Sequence, residues 1–359
     1  MNIDLDQYFT PPDLAEEVIR HSYKYDSCVV IDPTCGAGNL LSAACNVFQK
    51  VKCVGLDKDT VTIRKLRRCN PEWTLSAADL LCKVSCRNAT ATRMHNLEEG
   101  LLLLNPPFSH KNNKSVNAYY NGIHLKASVA MTYILRSFEL FSPRRGGLAI
   151  VPESVLFSDT DAHARQLLLE ANNIELVTEL SSNTFLGARA RSSVVKISPK
   201  RNPASSASFF LSEQRVGVKL NDPYEVVRGA LPVYASLDEK DKEGVPYIHT
   251  TDLADLLEDQ LDGVLRVDSN KKGKISGPVI LLPRVGTPQE KLIKAISLPS
   301  EIHLSDCVLG LRFQTITAAK RAERLIKENF TEFETLYRGT GARYITLSRL
   351  TDWLTYSSK

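Results

Sequence analysis

The sequence lacks any long apolar run. No window approaches the roughly eighteen consecutive apolar residues of a membrane-spanning helix. The first ten residues carry two aspartates and no apolar core of the kind that a signal peptide needs. These absences favour a cytoplasmic protein that does not enter a membrane.

Cysteine pairs at the spacing of metal ligands are also missing. The chain has eight cysteines, but no two of them form a Cys-x-x-Cys pair, and only Cys307 lies in the last two-fifths. This scatter argues against a zinc site and against a disulfide framework. We therefore expect reduced thiols and chemistry without a metal ion.

A large excess of charge is absent as well. The net charge is +4 over 359 residues, so any contact with nucleic acid must come from local basic patches. The length suggests two domains, and the Ser, Pro and basic residues between Ser198 and Ser208 mark a surface loop near their boundary. We expect domains at residues 1–214 and 215–359.

The most informative segment that is present runs from Leu101 to Phe108 and reads Leu-Leu-Leu-Leu-Asn-Pro-Pro-Phe. Four leucines before a turn predict a strand buried on both faces of a parallel sheet, whose carboxyl end opens onto a ligand crevice. The two prolines fix two φ angles and remove two donors, so the carbonyl groups of the turn stay available as acceptors. This pattern predicts a rigid cluster of acceptors with an aromatic ring beside it.

Three acidic turns precede this segment at the spacing of successive βα units. They contain Asp32 to Gly38 (Asp-Pro-Thr-Cys-Gly-Ala-Gly), Asp57 after Gly-Leu, and Asp79-Leu80. The first turn lacks the third glycine of the dinucleotide fingerprint, which disfavours a pyrophosphate site. An acid after the second strand can accept hydrogen bonds from ribose hydroxyls, which favours a nucleoside cofactor.

This ordered set resembles the methyltransferases that act on amino groups of DNA. The closest resemblance is to the adenine-N6 group, whose catalytic motif is Asn-Pro-Pro followed by an aromatic residue. It covers roughly the first two hundred residues. The resemblance implies a Rossmann-like α/β sheet with helices on both faces, S-adenosylmethionine as cofactor, and a flipped-out adenine of double-stranded DNA as substrate.

The resemblance also implies roles for individual residues. Thr10 would lie at the methionine end of the cofactor, Asp32 at its ammonium group, Asp57 at the ribose and Asp79 at the adenine amine. The full set implied to bind the cofactor is Thr10, Asp32, Pro33, Gly36, Gly38, Asp57, Asp79, Leu80 and Asn105. The implied catalytic set is Asn105, Pro106, Pro107 and Phe108.

Residues beyond the catalytic motif are expected to contact DNA. We expect Ser109 to Lys126 to form a polar loop that is mobile without DNA, because it is too polar to pack. Ile174 to Leu180 and the following residues predict a hairpin. The expected substrate contacts are Phe108, Phe185, Lys111, Arg189, Arg191, Arg284 and Arg343.

The last 145 residues resemble the target-recognition domains of type I specificity subunits. Cofactor motifs, catalytic motif and recognition domain then follow one another in the gamma-type order. We expect this second domain to be smaller and of the α+β class. The resemblance implies a role in restriction–modification or phage defence, with any restriction endonuclease on a separate chain.

Other readings share parts of the pattern. Asn-Pro-Pro also occurs in methyltransferases of release-factor glutamine and of adenine in RNA, while the cytosine-N4 group usually has Ser at the position of Asn105. Glutamine methyltransferases typically place a helical domain before the first strand and end after the sheet. A non-catalytic DNA specificity module of the same fold is the alternative from a different class.

Overall fold

The computed structural model describes most of the chain and divides it into two compact units, Met1–Gln214 and Arg215–Lys359. This division falls between the same residues as the expected domain boundary, while the roles of the two units stay predictions. The described residues are 10–22, 29–48, 50–108, 115–180, 191–200, 209–210, 217–236, 240–258, 263–268, 272–339 and 342–355.

The first unit alternates strands and helices along most of its length. Its described helices are α1 (Pro12–Ser22), α2 (Asn39–Val47), α3 (Thr60–Cys69), α4 (Lys83–Asn88), α5 (Val129–Phe141), α6 (Glu153–Phe157) and α7 (Ala162–Ala171). Its described strands are β1 (Val29–Asp32), β2 (Lys52–Asp57), β3 (Thr74–Ala77), β4 (Leu101–Leu104), β5 (Val116–Tyr120), β6 (Ile123–Ala127), β7 (Gly147–Pro152), β8 (Asn172–Leu180), β9 (Ser192–Pro199) and β10 (Phe209–Phe210).

Eight of these strands form one sheet in the order β10-β8-β9-β7-β4-β1-β2-β3. Strands β3, β2, β1, β4 and β7 are parallel, whereas β9 runs antiparallel to both β7 and β8. The strand order reverses between β1 and β4, and such a switch point opens a crevice at the carboxyl ends of the strands. This topology confirms the predicted Rossmann-like α/β sheet.

The run of leucines in β4 is buried on both faces of the sheet. Leu102 and Leu104 pack in a cluster with residues of α5 and α7, while Leu101 and Leu103 pack in a second cluster with residues of α1 and α2. Because side chains alternate along a strand, the four leucines fill both layers between the sheet and its helices. The helices therefore cover both faces, as predicted.

The prediction of a polar, mobile loop is wrong for residues 115–126. Strands β5 and β6 form an antiparallel hairpin there, and Ala118, Tyr120 and Leu125 are buried on its inner face. Its two-residue turn is Asn121-Gly122, with φ angles of 48° and 84°. Two left-handed residues of this type make the turn that best matches the twist of a hairpin, and they organise the polar segment into a sheet.

The second unit combines one sheet with helices, which confirms the predicted α+β class. Its described sheet has the order β11-β16-β14-β15-β12-β13, and all neighbours are antiparallel except β12 and β15. Its elements are β11 (Tyr224–Arg228), α8 (Val233–Ser236), β12 (Lys240–Ile248), α9 (Leu253–Leu257), β13 (Arg266–Val267), β14 (Lys274–Pro283), β15 (Ala295–Leu304), β16 (Val308–Phe313), α10 (Ile316–Glu328), α11 (Phe330–Thr335) and α12 (Leu347–Leu354).

The core of the second unit lies between the sheet and α10 to α12. Phe333 and Tyr337 are fully buried, and the ring of Phe333 packs against that of Trp353 with centroids 5.4 Å apart. The Tyr337 hydroxyl donates to the Pro283 carbonyl at 2.7 Å, so this ring also ties the helices to β14. Among the described residues of both units, no helix has the length and apolar character needed to cross a membrane.

Candidate active site

An open cavity, with about 720 Å³ of space including the solvent at its mouth, lies at the carboxyl ends of β1, β2 and β4, where the strand order reverses. Its lining residues are Thr10, Asp32, Pro33, Thr34, Cys35, Gly36, Ala37, Asn39, Leu40, Asp57, Lys58, Ala78, Asp79, Leu80, Asn105, Pro107 and Tyr133.

The turn after β1 is fastened to the end of β2. The Gly36 amide donates to Oδ2 of Asp57 at 2.9 Å, and the Cys35 amide donates to the Leu56 carbonyl at 2.8 Å. Gly36 has a φ of 47°, which lets its N–H point across the crevice without a Cβ penalty. Asp32 closes the start of the same turn, because its Oδ1 accepts the Thr34 amide hydrogen at 3.0 Å.

Two buried carboxyl groups therefore stand at adjacent strand ends. Burial raises the pKa of Asp32 to about 7, and the nearby charge of Asp57 adds to this rise. Burial also raises the pKa of Asp57, although the amides of Asp59 and Gly36 partly offset it. Neither carboxyl group is paired with a cationic side chain in the described residues, so the pair favours a ligand that brings ammonium or hydroxyl donors.

The side chain of Asn105 is oriented by Thr10. Its Nδ2 donates to Oγ1 of Thr10 at 2.9 Å, and the Thr10 carbonyl in turn accepts from Nδ2 of Asn39 at 2.7 Å. Since the amide nitrogen faces Thr10, Oδ1 is presented on the other side of the amide group. Thr10 and Asn39, the first residue of α2, thus restrain the orientation of the Asn105 amide group.

The turn after β3 completes the cavity wall. Asp79 is exposed, and its Oδ1 accepts the Leu81 amide hydrogen at 2.9 Å, while its own amide donates to Ser85 Oγ at 3.0 Å. Leu80 is buried, and its carbonyl accepts from Nε of Arg136 at 3.2 Å. These bonds hold an acid and an apolar side chain side by side, a suitable combination for the edge and face of a heterocycle.

Three of the predicted cofactor or catalytic residues do not line the cavity. Gly38, with φ of 83°, packs where a Cβ would lie 3.0 Å from Leu66 and Trp73, so it allows close packing of the turn. Pro106 is buried and Phe108 is partly exposed, and neither is among the lining residues. The remaining residues of both predicted sets are brought together in the cavity.

The predicted substrate contacts fall into separate groups. Lys111, Phe185 and Arg189 lie outside the described residues. Arg191 is partly exposed just before β9, where its carbonyl accepts the Glu153 amide hydrogen at 3.1 Å. This places Arg191 at the same edge of the sheet as the cavity, because β9 runs antiparallel to β7.

Two further predicted contacts lie in the second unit. Nε of Arg284 donates to the Asp306 carbonyl at 2.5 Å, and burial lowers the pKa of this guanidinium. The carbonyl of Arg343 accepts from the Gly286 amide at 2.8 Å. Both arginines are half-buried, so much of each side chain is not available at the surface.

Sequence reasoning missed Asn39 and Tyr133 as cavity residues. Asn39 directly follows Gly38, and its place at the first position of α2 was a usable signal. Tyr133 lies on a helix that is apolar on nearly all sides, so nothing in the sequence distinguishes it from core. Burial raises its pKa to about 12, with the charges of Asp79 and Asp57 adding to the rise. Within the described ranges, no group of three or more His, Cys, Asp or Glu side chains could hold a metal ion.

Comparison with known proteins gives one family and several similar folds. A model of the N-6 DNA methylase family matches residues 4–223, whereas no curated protein matches the chain. The methyltransferase subunit of a type I restriction-modification system from Streptococcus thermophilus is 17% identical, with a TM-score of 0.43 over 56% of this chain and 46% of that one.

Two other solved structures are similar to part of the chain. The M protein of the type I restriction enzyme EcoKI is 18% identical, with a TM-score of 0.39 over 56% of this chain and 46% of that one. A dimethyladenosine transferase from Plasmodium falciparum is 13% identical, with a TM-score of 0.37 over 56% of this chain and 65% of that one. The chain therefore spans less than half the length of the two type I subunits.

The raised pKa of Asp32 predicts that replacing its carboxyl group with a neutral amide stabilises the protein. The folded protein binds this proton more tightly than the unfolded chain, so the Asp32 contribution to the free energy of unfolding falls as the pH rises from about 4 to about 7. We expect Asp32→Asn to raise the free energy of unfolding at pH 8 by up to roughly 4 kcal/mol. The gain should shrink toward pH 4 in urea titrations.

The matched control is Asp59→Asn. Asp59 is an exposed N-cap residue whose pKa is lowered, chiefly by the hydrogen bond from Thr62, so its contribution has the opposite sign. We expect this variant to be less stable than the original protein at pH 8. The account would be contradicted if Asp32→Asn raised the free energy of unfolding no more at pH 8 than at pH 4.

Proposed function

Because the chain belongs to the N-6 DNA methylase family, we propose that it transfers a methyl group from S-adenosylmethionine to N6 of adenine in double-stranded DNA. The observation that carries this proposal is the orientation of Asn105 by Thr10 at a cavity with two buried carboxyl groups. This arrangement combines an acceptor for an amine with a site for a cationic nucleoside.

The cavity residues fit the proposed cofactor. Asp32 and Asp57 are acceptors that burial has deprived of water, so an ammonium group and ribose hydroxyls would supply the missing donors. Asp79 would accept from the adenine amine, and Leu80 would cover the ring. When bound, S-adenosylmethionine supplies a methyl group on a positively charged sulfur, which activates that carbon for in-line transfer.

The chain itself acts on the adenine amine. The lone pair of this nitrogen is delocalised into the ring, which makes it a weak nucleophile. Oδ1 of Asn105 and the Pro106 carbonyl would accept its two hydrogens and favour a pyramidal nitrogen with a directed lone pair. The two prolines keep the turn rigid, so catalysis relies on positioning and on prearranged dipoles.

The target adenine must leave the duplex to reach the cavity, at a cost of a few kcal/mol. Phe108 follows the catalytic turn and is partly exposed, and its ring would stack on the extruded base. Such stacking contributes roughly 1–3 kcal/mol, which is comparable to the cost of extrusion. Phe108 would therefore offset base flipping beside the cavity.

We also propose roles for the rest of the chain. The second unit would recognise the target sequence through its glycine loops, which carry Arg284 and Arg343. A restriction endonuclease, where one takes part, would be a separate chain of a restriction–modification or phage-defence system. Methylation of adenine in RNA is the competing activity, since the catalytic chemistry is the same.

The direct test is transfer of labelled methyl from S-adenosylmethionine to duplex DNA, followed by single-molecule sequencing of the product. We expect N6-methyladenine at one recurring short sequence. Structured RNA is the parallel substrate, and label on RNA alone would replace DNA in the proposal. Cofactor binding without transfer to either nucleic acid would contradict the proposal for this chain.

Replacing Asn105 should separate chemistry from cofactor binding. We expect Asn105→Ala to lower the rate of methyl transfer by at least about a thousandfold, because it removes an acceptor that acts on the amine in the transition state. Cofactor affinity, measured by calorimetry, should fall by less than about tenfold. Asn88→Ala, at the exposed end of α4, is the control and should change neither value. An equal loss of cofactor affinity and rate would sink this assignment.

A further inference from the structure

The outer face of the β5–β6 hairpin carries polar, aromatic and basic side chains. Asn117 pairs with Lys126 and Tyr119 pairs with His124 in the strand register, and all four are exposed. Residues directly opposite each other in an antiparallel pair lie on one face, and so do residues two positions further along. These four side chains therefore form one surface, which we call the hairpin face.

The hairpin face is ordered by contacts between its own rings and α4. The rings of Tyr119 and His124 meet edge to face, with centroids 4.8 Å apart. Nζ of Lys83, the first residue of α4, lies 4.4 Å from the centroid of Tyr119. Lys83 is exposed, and an ammonium over one ring face keeps its remaining hydrogens available to an anion.

The charged side chains that the hairpin itself supplies are all basic. Residues 100–138 contain no Asp or Glu, so neither strand of the hairpin supplies a carboxylate. Lys83 and Lys126 add two positive charges, while Asn117, Tyr119 and His124 add hydrogen-bond donors. Phosphate oxygens accept hydrogen bonds, and this combination of ammonium, amide, hydroxyl and ring N–H groups supplies donors for them.

The hairpin face is also close to the cavity along the chain. Lys83 is four residues beyond Asp79, which lines the cavity. The hairpin begins at Val116, eight residues after Phe108, so it lies within about 27 Å of the catalytic turn. Its inner side packs on α5, the helix that supplies Tyr133 to the cavity.

We propose that the hairpin face binds the sugar–phosphate backbone of the substrate strand beside the target adenine. Lys83 and Lys126 each pair with a phosphate, and Asn117, Tyr119 and His124 donate to neighbouring oxygens. Lys83 covers one face of the Tyr119 ring. Tyr119 therefore contacts the backbone through its hydroxyl group and does not stack on a base. The inference rests on the proposed function, since it names a further contact of the same substrate.

Exposed apolar side chains beside this surface raise a second candidate for its partner, another protein chain. The experiment must distinguish a protein partner from nucleic acid. Leu81, Val84 and Ile123 are 40%, 65% and 39% exposed. Exposed apolar groups of this kind can mark a protein interface. The basic and polar side chains of the hairpin face favour a polyanion, and association between copies of the chain becomes one outcome of the test.

The experiment measures the salt dependence of DNA binding by the full chain. A short fluorescent duplex is titrated with the original protein and with the double variant Lys83→Gln, Lys126→Gln at several salt concentrations. Removing two phosphate contacts should make the slope of log K against log salt shallower by roughly 1.8. The matched control is Lys50→Gln, Lys52→Gln, at the amino end of β2 and away from the cavity edge, where the slope should not change.

The outcomes separate this proposal from the proposed function. An unchanged slope in the double variant, an equal change in the control pair, or no DNA binding by the original protein would overturn the hairpin proposal. So would a double variant that keeps its slope and changes only the oligomeric mass in sedimentation. Methyl transfer is measured in parallel, and an original protein that binds the duplex with the expected slope yet transfers no methyl sinks the proposed function alone.

Discussion

The buried carboxyl groups of Asp32 and Asp57 are the constraint on which the site depends. Both stand at the carboxyl ends of central parallel strands, where the sheet opens, and both have been taken out of water. Burying a carboxylate without a cation costs free energy, and the raised pKa values of both groups express that cost. A ligand that brings donors or positive charge would recover part of it.

The same constraint explains the local structure around the cavity. In the turn after β1, one backbone amide donates a hydrogen bond to Asp57 and another donates to Asp32, so each carboxyl group has a backbone donor. Asn105 is restrained independently, through Thr10 and Asn39, so the orientation of its amide group is held by the protein itself. The cavity is thus prearranged from segments that are far apart in the chain, which is what the proposed catalysis by positioning would require.

Much of this arrangement could be predicted because it follows from strand periodicity and turn chemistry. Asp32, Asp57, Asp79 and Asn105 each follow a short apolar run, and parallel strands bring such positions to one edge. The bonds between Thr10, Asn39 and Asn105 join positions up to 95 residues apart, which no local pattern encodes.

The remaining misses have physical reasons of their own. Tyr133 is hidden among the core residues of α5, where only the fold shows that its ring faces the cavity. The β5–β6 hairpin was mistaken for a loop because its outer face is polar, although Asn121-Gly122 is a strong turn signal and Ala118, Tyr120 and Leu125 alternate correctly for one buried face. Polarity of half the residues outweighed periodicity in that prediction.

The most direct test of the central claim is the number of protons released when S-adenosylmethionine binds. Calorimetry in buffers of different ionisation enthalpy measures this number at pH 6 and at pH 8. With an Asp32 pKa of about 7, the account predicts release of close to one proton per site at pH 6 and close to none at pH 8, and loss of the difference in Asp32→Asn. Binding with no proton release at pH 6, or release that persists in Asp32→Asn, would contradict it.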